Sequence, residues 1–234
     1  MKSRKAVTLS TLFFLALAWL GAATYLRAER KREFDARLIP AIKARKATEV
    51  LALLGTDADP NARDSEGRSA LLWAASQGNR ICVAAMLACH ANPHAPDNYG
   101  STPLMAATFS GDEETMRHLI LAGADVNART EYGATALHQA ALSGHVSSVR
   151  VLLEKGADIE ARTRGAETPL IKAAQAGKAA VVKYLLAGGA DLAARNKNNQ
   201  SALDVALKYR RTRVAEILLD ANVAALSKPH QGIS

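Results

Sequence analysis

Ser143, His145 and Asp158 are the residue types of a nucleophile, a general base and an orienting carboxylate, the set that carries acyl transfer in hydrolases. Cys89, His90 and His94 are soft and borderline donors within six positions, a spacing that could trap a metal ion. Cys82 and Cys89 are the two cysteines of the chain. Seven residues apart on one helix, their Cα atoms would stand roughly 10 Å apart, beyond disulfide reach. Both therefore read as small packing residues. Lacking a second thiol at ligand spacing, the Cys89, His90 and His94 group does not form a zinc signature. The chain also carries no phosphate-binding loop, dinucleotide fingerprint or paired-cysteine motif.

The elements that would have to position these groups repeat with a 33-residue period. Leu71, Leu104, Leu137, Leu170 and Leu203 keep that spacing. Ala74, Ala107, Ala140, Ala173 and Ala206 keep it too, as do Ser69, Thr102, Thr135, Thr168 and Ser201. A fixed period of this size marks a stack of supersecondary units, none able to bury its own apolar face alone. Asp-x-x-Gly makes a tight turn in which Gly supplies positive φ. Thr102 can cap a helix, with Pro103 at the first position, where no amide donor is needed. Gly111 can end that helix. A second helix then carries Met116, Leu119 and Ile120 and stops at Gly123.

These units resemble ankyrin repeats, in the segments DNYGSTPLMAATFSGDEETMRHLILAGADVNA and TEYGATALHQAALSGHVSSVRVLLEKGADIEA. The resemblance implies an all-α fold, an ankyrin repeat solenoid of stacked helix-turn-helix units with β-turn fingers. The expected repeat domain is 36–226, in units of about 36–63, 64–96, 97–129, 130–162, 163–195 and 196–226. A flexible tail is expected over 227–234. The first unit lacks the turn, and Pro40 suggests that its helix begins late. In the fourth regular unit Ala166 occupies the usual turn glycine position, so an altered finger is expected there. Asn199 and Arg210 replace glycine in the last unit, which reads as a terminal cap.

Formal net charge is +8, of which +4 falls in residues 1–35. No basic stripe marks a nucleic-acid surface. Lys208, Arg210, Arg211 and Arg213 form the densest basic group; they read as the solvated face of a last repeat in preference to a phosphate or lipid contact. Ahead of the repeats, Lys2, Arg4 and Lys5 precede 21 uncharged residues, Ala6–Leu26. That length can span about 30 Å of hydrocarbon, with Trp19 and Tyr25 near an interface. A signal peptide cleaved before Thr24 is the competing reading. The cations at Arg27, Arg30, Lys31 and Arg32 oppose export and favour the uncleaved anchor. Residues 1–26 are thus a signal peptide or transmembrane anchor, and 27–35 a charged juxtamembrane linker.

In this frame His138 and His145 occupy motif positions for which the resemblance implies structural hydrogen bonding. Asp125, Asp158 and Asp191 recur in register and read as turn formers. The chain is expected to have no catalytic, metal or cofactor site and no small-molecule substrate. The resemblance implies a scaffold that engages a protein partner through finger tips and the concave face of the first helices; the short hydrophobic leader ahead of a compact array reads as bacterial, and a monomer is expected. The residues assigned to that surface are Trp73, Asn98, Tyr99, Phe109, Glu131, Tyr132, Leu142, Arg164 and Lys172. Packing of Trp73 and Phe109 between repeats is the alternative for those two. The expected location is membrane-anchored through residues 6–26, with the repeats in the periplasm or exterior. The alternative is a soluble periplasmic or secreted protein that supports another enzyme.

Overall fold

The computed structural model describes residues 9–226 except residue 57, with side chains described over 19–225. Residues 1–8, where the apolar run begins, and the expected tail 227–234 lie outside the described residues. Among the described residues there is no strand, only a single bridge between Arg63 and Ser69. The helices are α1 (Leu9–Lys43), α2 (Ala47–Leu54), α3 (Ala70–Ser76), α4 (Arg80–Ala88), α5 (Pro103–Ser110), α6 (Glu113–Leu121), α7 (Ala136–Ser143), α8 (Val146–Glu154), α9 (Pro169–Ala176), α10 (Ala179–Ala187), α11 (Ala202–Lys208) and α12 (Thr212–Leu226). They pair in order. The first helices α3, α5, α7, α9 and α11 pack side by side in one row, joined at its start by the end of α1. The second helices α2, α4, α6, α8, α10 and α12 form the other row.

Sequence dictates where each first helix starts. Thr102 accepts a hydrogen bond from the Met105 amide, and Ser69, Thr168 and Ser201 accept from Leu72, Ile171 and Asp204. Each cap satisfies one of the donors that a helix start leaves without a partner. The rows meet over buried columns. Ala74, Ala107, Ala140, Ala173 and Ala206 are fully buried, and so are Leu104 and Leu137. On the second helices Val83, Met116, Val149 and Val182 share one register position, and Met86, Leu119, Leu152, Leu185 and Leu218 another; all are buried. Truncating one of these leucines to alanine would cost about 2–5 kcal/mol.

The fingers repeat one hydrogen-bond plan. Asp97 Oδ1 accepts from the amides of Tyr99 and Ser101 at 2.9 and 2.8 Å, and Asp64 and Asn196 do the same in their own turns. Successive fingers are then tied together. The amides of Asn98, Glu131, Arg164 and Lys197 donate to the carbonyls of Glu66, Tyr99, Tyr132 and Gly165. The altered finger expected at Ala166 is absent. Ala166 adopts φ 57°, and its turn closes with the Ala166 amide on the Thr163 carbonyl, as glycine does at Gly67, Gly100 and Gly133. The stacked neighbours hold the backbone in a shape that alanine alone would avoid.

Two N-terminal expectations also need correction. The helix of the first unit does not begin late: α1 runs straight through Pro40. The buried side chains Leu38, Ile39, Ala41 and Ile42 flank the proline, whose own ring is exposed. Leu38 and Ala41 lie one period before Leu71 and Ala74, so this turn of α1 is the first row helix of the stack. Its burial offsets the roughly 3 kcal/mol that an interior proline costs. The charged stretch 27–35 is not a separate linker but a continuous part of α1. Docking begins at Phe34, which packs on the core, and at Asp35, whose Oδ1 accepts from the Asp59 amide. Among the described residues no helix is long and apolar enough to cross a membrane.

Substituting glycine at Ala166 tests the finger geometry. A left-handed alanine costs about 1–2 kcal/mol, and the extra backbone freedom of glycine in the unfolded chain returns roughly 0.4–1 kcal/mol of that. Ala166→Gly should therefore raise the thermal midpoint slightly, and a lower midpoint would contradict the left-handed turn.

Candidate functional site

Because the finger ladder fixes register, one tip residue per repeat falls in a single row: Glu66, Tyr99, Tyr132, Gly165 and Asn198. Tyr99 and Tyr132 are adjacent in that row, their backbones locked by the Glu131 and Arg164 amides at 2.9 and 2.7 Å. A second row runs along the first helices: Ser76, Phe109, Leu142, Gln175 and Lys208. Its two apolar members come from the same pair of repeats as the tyrosines. Tyr99, Phe109, Tyr132 and Leu142 are 54%, 64%, 65% and 43% exposed. Asn98, Glu131 and Arg164 accompany them with exposed side chains at the finger tips. Asn98 also rests on the preceding turn, where a Cβ at Gly67 would lie 2.2 Å from its Oδ1. Seven of the nine assigned surface residues are thus exposed, six of them on two adjacent repeats and Arg164 at the tip of the next. Phe109 is not packed between repeats.

Trp73 and Lys172 are placed differently. Trp73 is half-buried, packs on the core, and donates its indole N–H to Asp64 Oδ2 at 2.9 Å. Lys43 Nζ and the Arg68 guanidinium each lie 4.4 Å from the centre of its ring. Burial pushes the Asp64 carboxyl upward, but hydrogen bonds from Trp73, Arg68 and Glu66 outweigh it and bring its pKa down to about 2. The cluster ties the end of α1 to the first complete finger. The Asp64 and Arg68 spacing is visible in the sequence, whereas Lys43 comes from α1 and has no sequence signal. Lys172 is half-buried and paired with Glu167 at 2.5 Å.

His138 is a structural bridge between repeats. Its Nδ1 accepts from the Thr135 amide at 3.2 Å, and its Nε2 donates to the Glu167 carbonyl of the next repeat at 2.9 Å. Burial lowers its pKa most, opposed by the hydrogen bond to Glu167; the charges of Lys172 and Arg129 lower it further. The ring is therefore held neutral, with its proton on Nε2.

No hydrogen bond among the described residues joins any two of Ser143, His145 and Asp158. Ser143 Oγ accepts from Gln139 Nε2, Asp158 Oδ1 accepts from the Glu160 amide, and the His145 ring covers Gly111 of the preceding repeat. Among the described residues no three His, Cys, Asp or Glu side chains gather as metal ligands. Cys82 is buried and Cys89 half-buried, both as free thiols, and burial pushes the Cys82 thiol up.

A polar groove of about 530 Å³ between α4, α6 and α8 is lined by Arg80, Asp112, Glu113, Glu114 and Arg117. Its charges are matched in pairs, within α6 and across repeats. Arg80 meets Asp112 and Glu114, while Glu113 binds Arg117 at 2.8 Å and Arg150 at 3.2 Å. The hydrogen bond from Arg117 is the main reason that Glu113 titrates low. These carboxylates fasten the second helices together.

Two family profiles match the chain. One, described as "Ankyrin repeats (3 copies)", covers residues 38–130. The other, described as "Ankyrin repeats (many copies)", covers residues 138–186. Together they span more than half of the chain, and the first begins at Leu38, where α1 enters the stack. The search of curated proteins found no match.

The histidine bridge predicts a pH effect with a definite sign. Because the folded state lowers the His138 pKa, its contribution is complete above the ordinary value near 6.5 and is lost as pH falls below it. Protonation would set an N–H at Nδ1 against the Thr135 amide. Melting wild type and His138→Gln from about pH 7.5 to about pH 5 should show a steeper loss of stability in wild type; parallel curves would contradict a buried neutral ring.

Proposed function

Since the chain belongs to the ankyrin repeat family, whose members typically lack catalysis and mediate protein–protein interaction, we propose that it is a non-catalytic scaffold. It binds one protein partner through the finger tips and first-helix face of the repeats at 97–129 and 130–162. The observation that carries this reading is the cluster of four exposed apolar side chains, Tyr99, Phe109, Tyr132 and Leu142, in those two repeats. The hydrogen-bonded ladder holds its backbone rigid, so binding costs little ordering entropy. Aromatic side chains are the usual anchors of protein interfaces, with truncations worth roughly 2 kcal/mol or more at hot spots. Asn98, Glu131 and Arg164 supply a polar rim.

We further propose that the scaffold is a monomer held at a membrane or cell envelope of bacterial type by residues 6–26. Its support is the uncharged run Ala6–Leu26 and the exposure of Trp19, Leu20, Tyr25 and Leu26 on α1, uncovered by the rest of the chain. Helical continuity from Leu9 to Lys43 favours an uncleaved tether over a signal removed before Thr24. A mature N-terminus at Met1 in the membrane fraction is the expected result. A start near Thr24 in a soluble envelope fraction would replace the tether with a diffusing binder.

A photo-crosslinking residue at position 132 should join the protein to one partner species, and the same residue at exposed Ala180 on α10 should not. Tyr99→Ala/Tyr132→Ala should lower partner recovery at least about tenfold at an unchanged thermal midpoint. Equal crosslinking at the two positions, or unchanged recovery, would defeat the assignment.

A further inference from the structure

The rows that carry the apolar patch continue into the last two repeats, and there their chemistry changes. After Phe109 and Leu142, the helix-face row reaches Gln175 and Lys208. The row at the turn between first and second helices reads Asn79, Asp112, His145, Lys178 and Arg211. Each of the last four of these side chains lies over the glycine of the preceding repeat: Asp112 on Gly78, His145 on Gly111, Lys178 on Gly144 and Arg211 on Gly177. Charge along one structural position therefore passes from acidic to basic.

Cations are used in two ways along the array: Lys172 and Arg195, like the earlier arginines, meet carboxylates at Glu167 and Asp204, and four others of the last two repeats do not. Arg80, Arg117 and Arg150, in the earlier repeats, all meet carboxylates. Lys178, Lys208, Arg210 and Arg211 have no carboxylate partner among the described residues. Three of them are exposed and Lys178 is half-exposed. They are nevertheless held in place. Arg211 Nε donates to the Gln175 carbonyl at 3.0 Å, Gln175 Nε2 donates to the Tyr209 hydroxyl at 3.3 Å, and Lys208 Nζ lies 5.8 Å from the Tyr209 ring centre. Arg210 stands at φ 54°, a position that is glycine in the four repeats before it.

We infer that this basic end binds an extended acidic segment of the same partner whose apolar anchors fill the patch at Tyr99, Phe109, Tyr132 and Leu142. The inference rests on the partner-binding reading of that patch. Continuity selects the occupant: Lys178 stands on the turn one repeat beyond Leu142, Lys208 continues the helix-face row two repeats beyond it, and Arg210 and Arg211 follow Lys208, so a chain leaving the patch along that row passes over them. Spacing agrees. Neighbouring helices pack about 8–10 Å apart, and an extended chain advances about 3.3 Å per residue. Carboxylates roughly three residues apart would then meet Lys178 and the Lys208, Arg210 and Arg211 group in turn.

The test uses the purified full chain and a fluorescein-labelled octaglutamate peptide, read by anisotropy at low salt. Lys208→Gln/Arg210→Gly removes two cations, and its glycine relieves the left-handed arginine, so the variant should melt no lower than wild type. Octaglutamate should bind wild type and weaken about tenfold in the variant, with affinity falling as salt is raised. Tyr99→Ala/Tyr132→Ala should leave octaglutamate binding unchanged. Were that tyrosine variant also to recover the partner normally, the apolar patch assignment would fail while the acidic-segment result stood. Equal octaglutamate affinity in wild type and the cation variant would overturn the inference. So would capture of wild type by phosphatidylglycerol vesicles that is lost in the cation variant and is not competed by octaglutamate, which would assign the patch to a lipid surface.

Discussion

Close approach between adjacent first helices, across the buried column of Ala41, Ala74, Ala107, Ala140, Ala173 and Ala206, is the contact on which everything else in this protein depends. A larger side chain there would push the helices apart by more than an interior packed to crystal density tolerates. With the column small, each repeat sits at one distance and one register from the next. The finger ladder then forms between backbones, because the amide at position 131 finds the carbonyl at 99, and that at 164 finds the one at 132. Stability is a sum of such nearest-neighbour interfaces, since a repeat touches only the repeats beside it.

Much of this was legible in the residues. The leucine and alanine columns, the Ser/Thr caps and the turn glycines are period-33 features, and the structure places them in the core, the helix starts and the left-handed turns. What escaped sequence reading depends on contacts between distant segments. Pro40 signals a helix boundary locally, yet the buried flank of Leu38, Ile39, Ala41 and Ile42 carries α1 through it. Ala166 looks like a broken turn in isolation, but its finger is held between its neighbours by the Arg164 amide on the Tyr132 carbonyl and the Lys197 amide on the Gly165 carbonyl. The candidate surface was partly legible: Tyr99 and Tyr132 are exposed where turn tips should be, while the lysine that covers Trp73 comes from a segment 30 residues away.

The same periodicity separates structural from functional positions. Residues that touch a neighbour in every repeat are nearly uniform: leucine, alanine, a hydroxyl cap, glycine. Those facing outward change with each repeat, from Glu66 to Tyr99, Tyr132, Gly165 and Asn198 at the tips, and from Ser76 to Phe109, Leu142, Gln175 and Lys208 on the helices. Stacking constrains the first group and leaves the second free. A surface assembled from free positions on a rigid frame can present apolar side chains without collapsing onto itself, because the frame fixes the distance between them.

The array's ends show how the same frame relaxes where stacking stops. In the interior, a Cβ at Gly111 or Gly144 would stand under 3 Å from His145 or Lys178 of the following repeat. Two requirements act on those positions, a left-handed backbone and room for the neighbour. At Arg210 no repeat follows among the described residues, so only the backbone requirement remains, and it costs about 1–2 kcal/mol. Arg45, one period before Gly78, is the equivalent at the other end. It adopts φ 58°, and the residue in the neighbour's covering position is the short Asn79. Glycine is thus needed where both constraints act, and a charged residue becomes possible where one is lifted. That freedom puts cations at the termini of the solenoid without disturbing the packing between them.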